Sequence, residues 1–377
     1  MPGTFAFETK IYTAGTEHYS LQDMLEHFVE QGPNRVSDLH LKTGYPPTFR
    51  VDGLLRRMEG PALAPDTVEG CIRLLLPEPR LRVLPEQRAV DGSYPYGGLL
   101  FRLNAFYDKD GPALAIRALA ADPWPVPDIG FPNDVWHDII ARRFGLVLVT
   151  GIAGAGKSTT VAALLALIAA EQPCRIITLE DPIEYRIQGA KALVSQREVG
   201  RDVPDFARGV HDALREDPDV IFVGEMRDSD SAAWTLTAAE TGHLVFSTLH
   251  TRDACGTITR ILDMFPGARR EETANQLALA LSHIISQKLV ARADGQGRVA
   301  AMEILNNSRA IANVIRNQKI EQISSFLQTR TKDISEERMT TLEHSLAQLV
   351  AQGVITSTEA DRWANDRGML TQELGSI

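Results

Sequence analysis

A chain of 377 residues, 44% hydrophobic and 23% charged, is long enough for two domains with separate cores. No stretch approaches the ~20 apolar residues of a membrane span, and the first residues lack a signal-peptide or lipidation pattern, so a cytoplasmic protein that meets the membrane only through partners is expected. The net charge of −10 argues against a nucleic-acid partner, and the scattered Cys71, Cys174 and Cys255 argue against a disulfide framework or a zinc site.

Residues 19–31 and 65–75 read as helices, and the alternating runs 47–53 and 98–106 as antiparallel strands. Together they predict a small α+β domain over residues 1–121. Between Asp122 and Pro132 lie four prolines in eleven residues, which neither a helix nor a central strand tolerates, so 122–134 reads as a linker. From 135 to 377 the pattern changes to short apolar runs, at 144–150, 175–179, 219–223 and 243–249, alternating with helical stretches. That is the pattern of a mostly parallel sheet covered on both faces. The apolar run 161–170 reads as a buried helix. Residues 308–318, 319–328 and 339–352 read as helices, Gly353 ends the last of these, and Thr356 with Glu359 predicts a capping box for the next.

Each of the four apolar runs is followed at once by polar or ionisable residues: a glycine-rich loop, Glu180-Asp181, Glu225 and His250. In open parallel sheets ligands bind beyond the carboxyl ends of the strands, so these residues are expected to share one edge and one site. The loop, Gly151-Ile-Ala-Gly-Ala-Gly156-Lys157-Ser158-Thr159, has the phosphate-binding spacing G-x-x-x-x-G-K-S between a strand and a helix. Gly151, Gly154 and Gly156 let backbone N–H groups face phosphates, Lys157 is placed to reach the β and γ phosphates of ATP, and Ser158 to hold Mg. Asp219-Val-Ile-Phe-Val-Gly-Glu225 is a buried strand ending in a carboxylate, suited to organising Mg and polarising an attacking water. Glu180, Asp181 and Glu184 form an acidic loop at the end of another strand. His243 and His250 stand at the two ends of one predicted strand; His250 projects at the phosphate edge, where an imidazole can sense a γ-phosphate.

Taken together, these motifs resemble those of the PilT-like type IV pilus retraction ATPases of the secretion ATPase superfamily. Residues 151–160 match the Walker A element, 177–184 the Asp box, 214–228 the Walker B element and 237–251 the His box, while Ser37-Asp-Leu-His-Leu41, Pro46-Pro47 and Arg50-Val-Asp-Gly53 resemble the start of a PAS-like domain. The resemblance, which runs from about residue 20 to 370, implies a RecA-like ATPase domain preceded by a PAS-like domain, assembled as a homohexamer with ATP between the two domains and against a neighbouring subunit. It implies partners in the pilus machinery, including an inner-membrane platform protein, and a place at the inner face of that membrane. It further offers Arg102 and Arg117 as arginines that meet the phosphates. The expected catalytic set is then Glu225, Glu184, His250, Arg102 and Arg117. The nucleotide-binding set comprises Gly151, Gly154, Gly156, Lys157, Ser158, Thr159, Glu180, Asp181 and His243, with Ser158 and Glu225 at Mg.

Two departures stand out. Ala310-Ile-Ala-Asn313 places Ala312 where retraction members carry arginine, and Ala153 and Ala155 replace hydroxyl residues frequent in the loop. Relatives devoted to assembly or export generally add a further N-terminal domain and a four-cysteine zinc motif; neither fits here, which favours the retraction branch. A secretion or conjugation ATPase, or an accessory retraction ATPase, is the alternative. A nucleic-acid motor is a third class, and stimulation of turnover by DNA or RNA would mark it.

Overall fold

The computed structural model describes residues 6–32, 35–51, 54–119, 122–295, 297–333 and 338–376. Asp52 and Gly53 of the Arg50-Val-Asp-Gly53 pattern, and Ala121 at the expected domain end, lie outside these. The chain divides into two units. Unit 1 gathers Met1–Asp122, Glu180–Arg186 and Arg197–Pro204; unit 2 holds Pro123–Leu179, Ile187–Gln196 and Asp205–Ile377.

Unit 1 begins with a hairpin of β1 (Lys10–Ala14) and β2 (Glu17–Ser20), followed by α1 (Leu21–Gln31). The helix expected over 19–31 starts at Leu21 because Tyr19 and Ser20 complete β2. Ser20 then caps the helix, its hydroxyl accepting from Asp23 N while the Asp23 carboxylate accepts from Ser20 N. Next come β3 (Val36–Lys42), β4 (Thr48–Val51), β5 (Leu54–Arg57), α2 (Pro65–Leu75) and α3 (Glu78–Gln87). Strands β6 (Ala89–Tyr96), β7 (Leu99–Asp108) and β8 (Gly111–Leu119) complete a six-stranded sheet of order β5-β4-β3-β8-β7-β6, antiparallel at each pair of neighbours. One face packs on the helices through Phe28, Leu39, Ile72, Phe101, Leu103 and Ile116, with Phe28 and Phe101 edge to face at 5.2 Å. Strand alternation sends Asp38, Arg102 and Arg117 to the opposite face.

Unit 2 opens with a 3-10 turn, Val126–Ile129, whose Val126 and Ile129 are buried in its core, then α4 (Val135–Ile140) and β9 (Gly145–Thr150), all six of whose residues are buried. α5 (Lys157–Glu171) follows, then β10 (Arg175–Glu180), β11 (Leu193–Glu198) and α6 (Phe206–Ala213). β12 (Val220–Val223), α7 (Ser229–Glu240), β13 (Leu244–Leu249), α8 (Ala254–Asp263) and α9 (Arg270–Ala280) lead to β14 (Leu281–Ala291) and β15 (Arg298–Asn306). The sheet order is β11-β10-β12-β13-β9-β14-β15; β10, β12, β13, β9 and β14 run parallel and β15 returns antiparallel. Val147 and Val149 pack with α5, while Leu146 and Leu148, pointing the other way, are equally buried. Covering both faces is what makes these strands uniformly apolar, and the expected α/β class with a parallel sheet is borne out.

The chain ends in α10 (Arg309–Arg316), α11 (Ile323–Asp333), α12 (Leu342–Ala351), α13 (Ser357–Trp363) and α14 (Arg367–Leu374). The helix expected over 319–328 is instead a short 3-10 turn, Ile320–Gln322, leading into α11. The one expected over 339–352 starts late because Thr340 is extended and pairs with Ile304. Only half of the predicted capping box forms: Thr356 accepts from Glu359 N at 3.2 Å, but the Glu359 carboxylate takes the Trp363 indole N–H. Among the described residues no helix is long and apolar enough to cross a membrane.

Candidate functional site

The loop between β9 and α5 is shaped by glycines. At Gly151 the backbone takes φ 150°, and a Cβ there would stand 2.5 Å from the carbonyl oxygen of Gln287. At Gly156 it takes φ 86°, the left-handed conformation from which α5 starts. Lys157, the first residue of α5, is buried and turns its ammonium back over the loop, donating to Gly151 O at 3.0 Å and Ile152 O at 3.3 Å. Ser158 and Thr159 follow in the first helical turn, half-buried.

Two neighbouring strands bring their C-terminal residues to the same edge. Beyond β12, Glu225 is bracketed by Thr248 of β13, whose hydroxyl donates to Gly224 O at 2.6 Å and whose carbonyl accepts from Met226 N at 3.3 Å. Beyond β13, His250 stands between Lys157, 3.4 Å from Nζ to Nδ1, and Glu225, 3.5 Å from Nε2 to Oε1. A lysine ammonium can only donate, so the nitrogen facing Lys157 is the unprotonated one and the imidazole turns its Nε2–H to Glu225. Arg227 Nε holds the other Glu225 oxygen at 2.8 Å. Lys157, His250 and Glu225 are thus brought together at the loop.

The structure does not bring His243 there. It precedes β13, and six strand residues at about 3.3 Å each put it roughly 20 Å from that edge. Its Nδ1 faces Ala238 O at 3.0 Å and its carbonyl accepts from Gly145 N, so it closes the turn before the strand.

The acidic loop after β10 packs within unit 1. Glu180 is buried at the strand end and its carbonyl accepts from Val199 N at 2.8 Å. Arg80 clasps Asp181 at 2.6 Å and Val199 O at 2.7 Å, and Glu184 lies 3.6 Å from Arg102. Burial pushes the pKa of nearby Glu198 up, against hydrogen bonds from Ser93 and Ile183 N and the charges of Arg201 and Arg80. Arg102 and Arg117 are cross-strand partners on β7 and β8, in a row with Asp38 of β3. Arg117 Nε donates to Asp38 at 2.7 Å. Burial works to raise the Asp38 pKa, but the hydrogen bonds from Ser37 and Arg117 and the arginine charge outweigh it and hold the carboxyl below the usual carboxylate range.

Three positioning groups carried no expectation: Thr248, Arg80 and Gln287. The available signal for Gln287 was the polar run Ser286-Gln287-Lys288 set between the apolar pairs Ile284-Ile285 and Leu289-Val290.

A parallel sheet whose inner strand passes through a glycine loop into a helix, with lysine, histidine and carboxylate at that edge, defines a phosphate-loop nucleotide-binding protein. The chain belongs to the type II/IV secretion system protein family, which it matches over residues 14–367. It is 41% identical over 321 residues to a twitching motility protein of Neisseria gonorrhoeae, covering 85% of this chain and 84% of that one. To the type IV pilus retraction ATPase PilT of Pseudomonas aeruginosa it is 40% identical over 341 residues, 90% of this chain and 96% of the relative. A crystal structure of the pilus retraction motor PilT with bound ADP superposes with a TM-score of 0.82 at 40% identity, covering 94% of this chain and 99% of that chain.

Proposed function

We propose that this chain is a Mg-dependent ATPase motor that powers type IV pilus retraction, working as a homohexamer at the cytoplasmic face of the inner membrane against a pilus platform protein. The observation that carries the chemistry is the convergence of Lys157, His250 and Glu225 on one glycine loop. Identity of 40% across 90% of the chain to a pilus retraction ATPase supports the task. In this reading residues 1–121 and 135–377 are the two working domains and 122–134 joins them.

The residues suit a nucleoside triphosphate. Gly151, Gly154 and Gly156 free the backbone to present N–H groups, and Lys157 already lies along the loop, where its ammonium can exchange the carbonyls of Gly151 and Ile152 for phosphate oxygens. Thr159 adds a hydroxyl in the same turn. Ser158 and Glu225 are the residues that would hold Mg, which when bound neutralises charge on the β and γ phosphates. Glu225 also orients the attacking water, and His250, linking it to Lys157, reports on the γ-phosphate. Arg102 and Arg117 supply planar donors for phosphate oxygens, and Glu180, Asp181 and Glu184 form the acidic loop that orders the site. His243 is assigned to the turn before β13.

Ala312, half-buried on α10 where retraction members carry arginine, favours one second reading, an accessory retraction or secretion ATPase. The test pairs two measurements. Lys157→Ala is expected to remain folded and lose about 99% of ATP turnover, because Lys157 offers charge to phosphate at the loop. In cells, the same substitution is expected to leave labelled pili that extend and never shorten. Normal turnover in the mutant refutes the site, and normal shortening with lost turnover transfers the chain to the second reading.

A further inference from the structure

The polar run Ser286-Gln287-Lys288 crosses the middle of β14, and each side chain engages a different neighbour. Ser286 accepts from Thr150 at 2.9 Å, and Lys288 donates to Trp363 O and Asn365, both at 2.7 Å. Gln287 turns to the phosphate loop. Ser286 and Thr150 are register partners, so the next residue on β14 lies beside Gly151. Gln287 is 2% exposed, and both ends of its amide are used: Nε2 donates to Ala155 O at 2.5 Å and Oε1 accepts from Thr160 Oγ1 at 2.8 Å. A carbonyl oxygen can only accept, so the bond to Ala155 O settles which way the amide is turned.

We infer that Gln287 is a positioning residue for nucleotide binding and hydrolysis, acting through the peptide between Ala155 and Gly156. In a planar trans peptide the C=O and N–H point to opposite sides. With Ala155 O drawn toward β14, the Gly156 N–H is turned away from the sheet, the direction in which a loop of this kind presents donors to phosphate. The same amide, through Thr160, ties that peptide to the first turn of α5, where Lys157, Ser158 and Thr159 stand. The Gln287 backbone closes the other end of the loop, since its carbonyl occupies the space a Cβ on Gly151 would need. One residue of β14 therefore sets both ends of the loop. The angle at which its N–H groups face a phosphate depends on a side chain more than a hundred residues away in sequence.

The test uses the full chain and ATP. Q287M keeps the length of the side chain and removes both bonds; Q287E keeps the acceptor for Thr160, removes the donor and places negative charge behind the phosphates. T160V removes the Thr160 arm, together with the 3.3 Å contact of the same hydroxyl to Gly156 O, and T160S keeps both. In steady-state hydrolysis and fluorescent-ADP binding, Q287M is expected to lower kcat/KM about ten-fold or more, the scale of a buried hydrogen bond left unmade. Q287E is expected to lose more nucleotide affinity than Q287M, and T160S to restore what T160V loses. A role in packing alone predicts a lower melting temperature with kcat and KM unchanged well below it, and that result overturns the inference. Should Q287M fail to fold, the Thr160 pair decides: equal kcat/KM in T160V and T160S overturns it. The inference rests on the proposed ATP site. A wild-type protein that hydrolyses no ATP removes both, whereas active wild type with equally active Q287M removes only this one.

Discussion

The residues that define the site are ordinary in kind and specific in placement. Glu225 is suited to the task proposed for it by what surrounds it: Thr248 holds the backbone on either side, Arg227 takes one oxygen, and the Nε2–H of His250 faces the other at 3.5 Å. That contact is longer than a well-formed hydrogen bond, and the shorter one, at 2.8 Å, is with Arg227. Glu225→Gln preserves shape and keeps one accepting oxygen, enough for the Arg227 bond, while removing the negative charge that would organise Mg and polarise water. It is expected to bind ATP normally and hydrolyse it about a hundred-fold more slowly, a typical loss for a missing general base. Single-turnover hydrolysis beside equilibrium nucleotide binding separates these steps; wild-type turnover with unchanged Mg dependence would exclude the role. Lys157, Glu225 and His250 were legible as candidates from sequence because the glycine loop, Gly224-Glu225 and His250 each follow directly on an apolar run. Thr248 was not, because nothing in its local sequence says that its hydroxyl grips the neighbouring strand.

Among the elements, the junction of β15 with α8 carries a titratable constraint. Ala254 N, at the start of α8, donates to Glu303 Oε1 at 2.7 Å. Desolvation pushes the Glu303 pKa from 4.5 up to about 7; the Ala254 bond and Lys288 oppose the shift, and Asp253 and Glu343 add to it. The folded state therefore binds the proton more tightly than the unfolded chain, and stability falls as pH rises from about 4.5 to about 7. Glu303→Gln keeps an oxygen for Ala254 N and removes the titration. Thermal unfolding at about pH 5 and about pH 8 is expected to show a loss of roughly 1–3 kcal/mol in the wild type that the variant largely lacks. Parallel pH profiles for the two proteins would show that Glu303 ionises without cost in the fold. β14 and β15 themselves were hidden by the polar residues they carry inward, whereas β9, β10, β12 and β13 were plain as apolar runs, being buried on both faces.

At the scale of the whole molecule, Arg102 and Arg117 stand side by side across β7 and β8, Arg117 anchored by Asp38 and Arg102 beside Glu184. In the ring proposed here such arginines act on charge that develops at the chemical step, so their loss should appear in the rate more than in affinity. Arg102→Ala or Arg117→Ala is expected to lower kcat about ten-fold or more with a smaller change in ATP binding. Specific activity of the wild type is expected to rise with protein concentration as hexamers form. Sedimentation and turnover on one dilution series check this, and a fully active monomer would sink the ring mechanism.

The amino-acid sequence by itself determined the nucleotide chemistry and the α/β class. Both are written in short-range spacing: a glycine loop between strand and helix, and ionisable residues immediately after buried apolar runs. What only the tertiary structure decided depends on pairing between distant parts of the chain. Strand order sets Gln287 of β14 beside Gly151, folding gathers Glu180–Arg186 and Arg197–Pro204 into unit 1 from far along the sequence, and register places Arg102 against Arg117. Local sequence carries the propensity of a strand but not the identity of its neighbour, because that neighbour is selected by burial of both faces of the whole sheet at once.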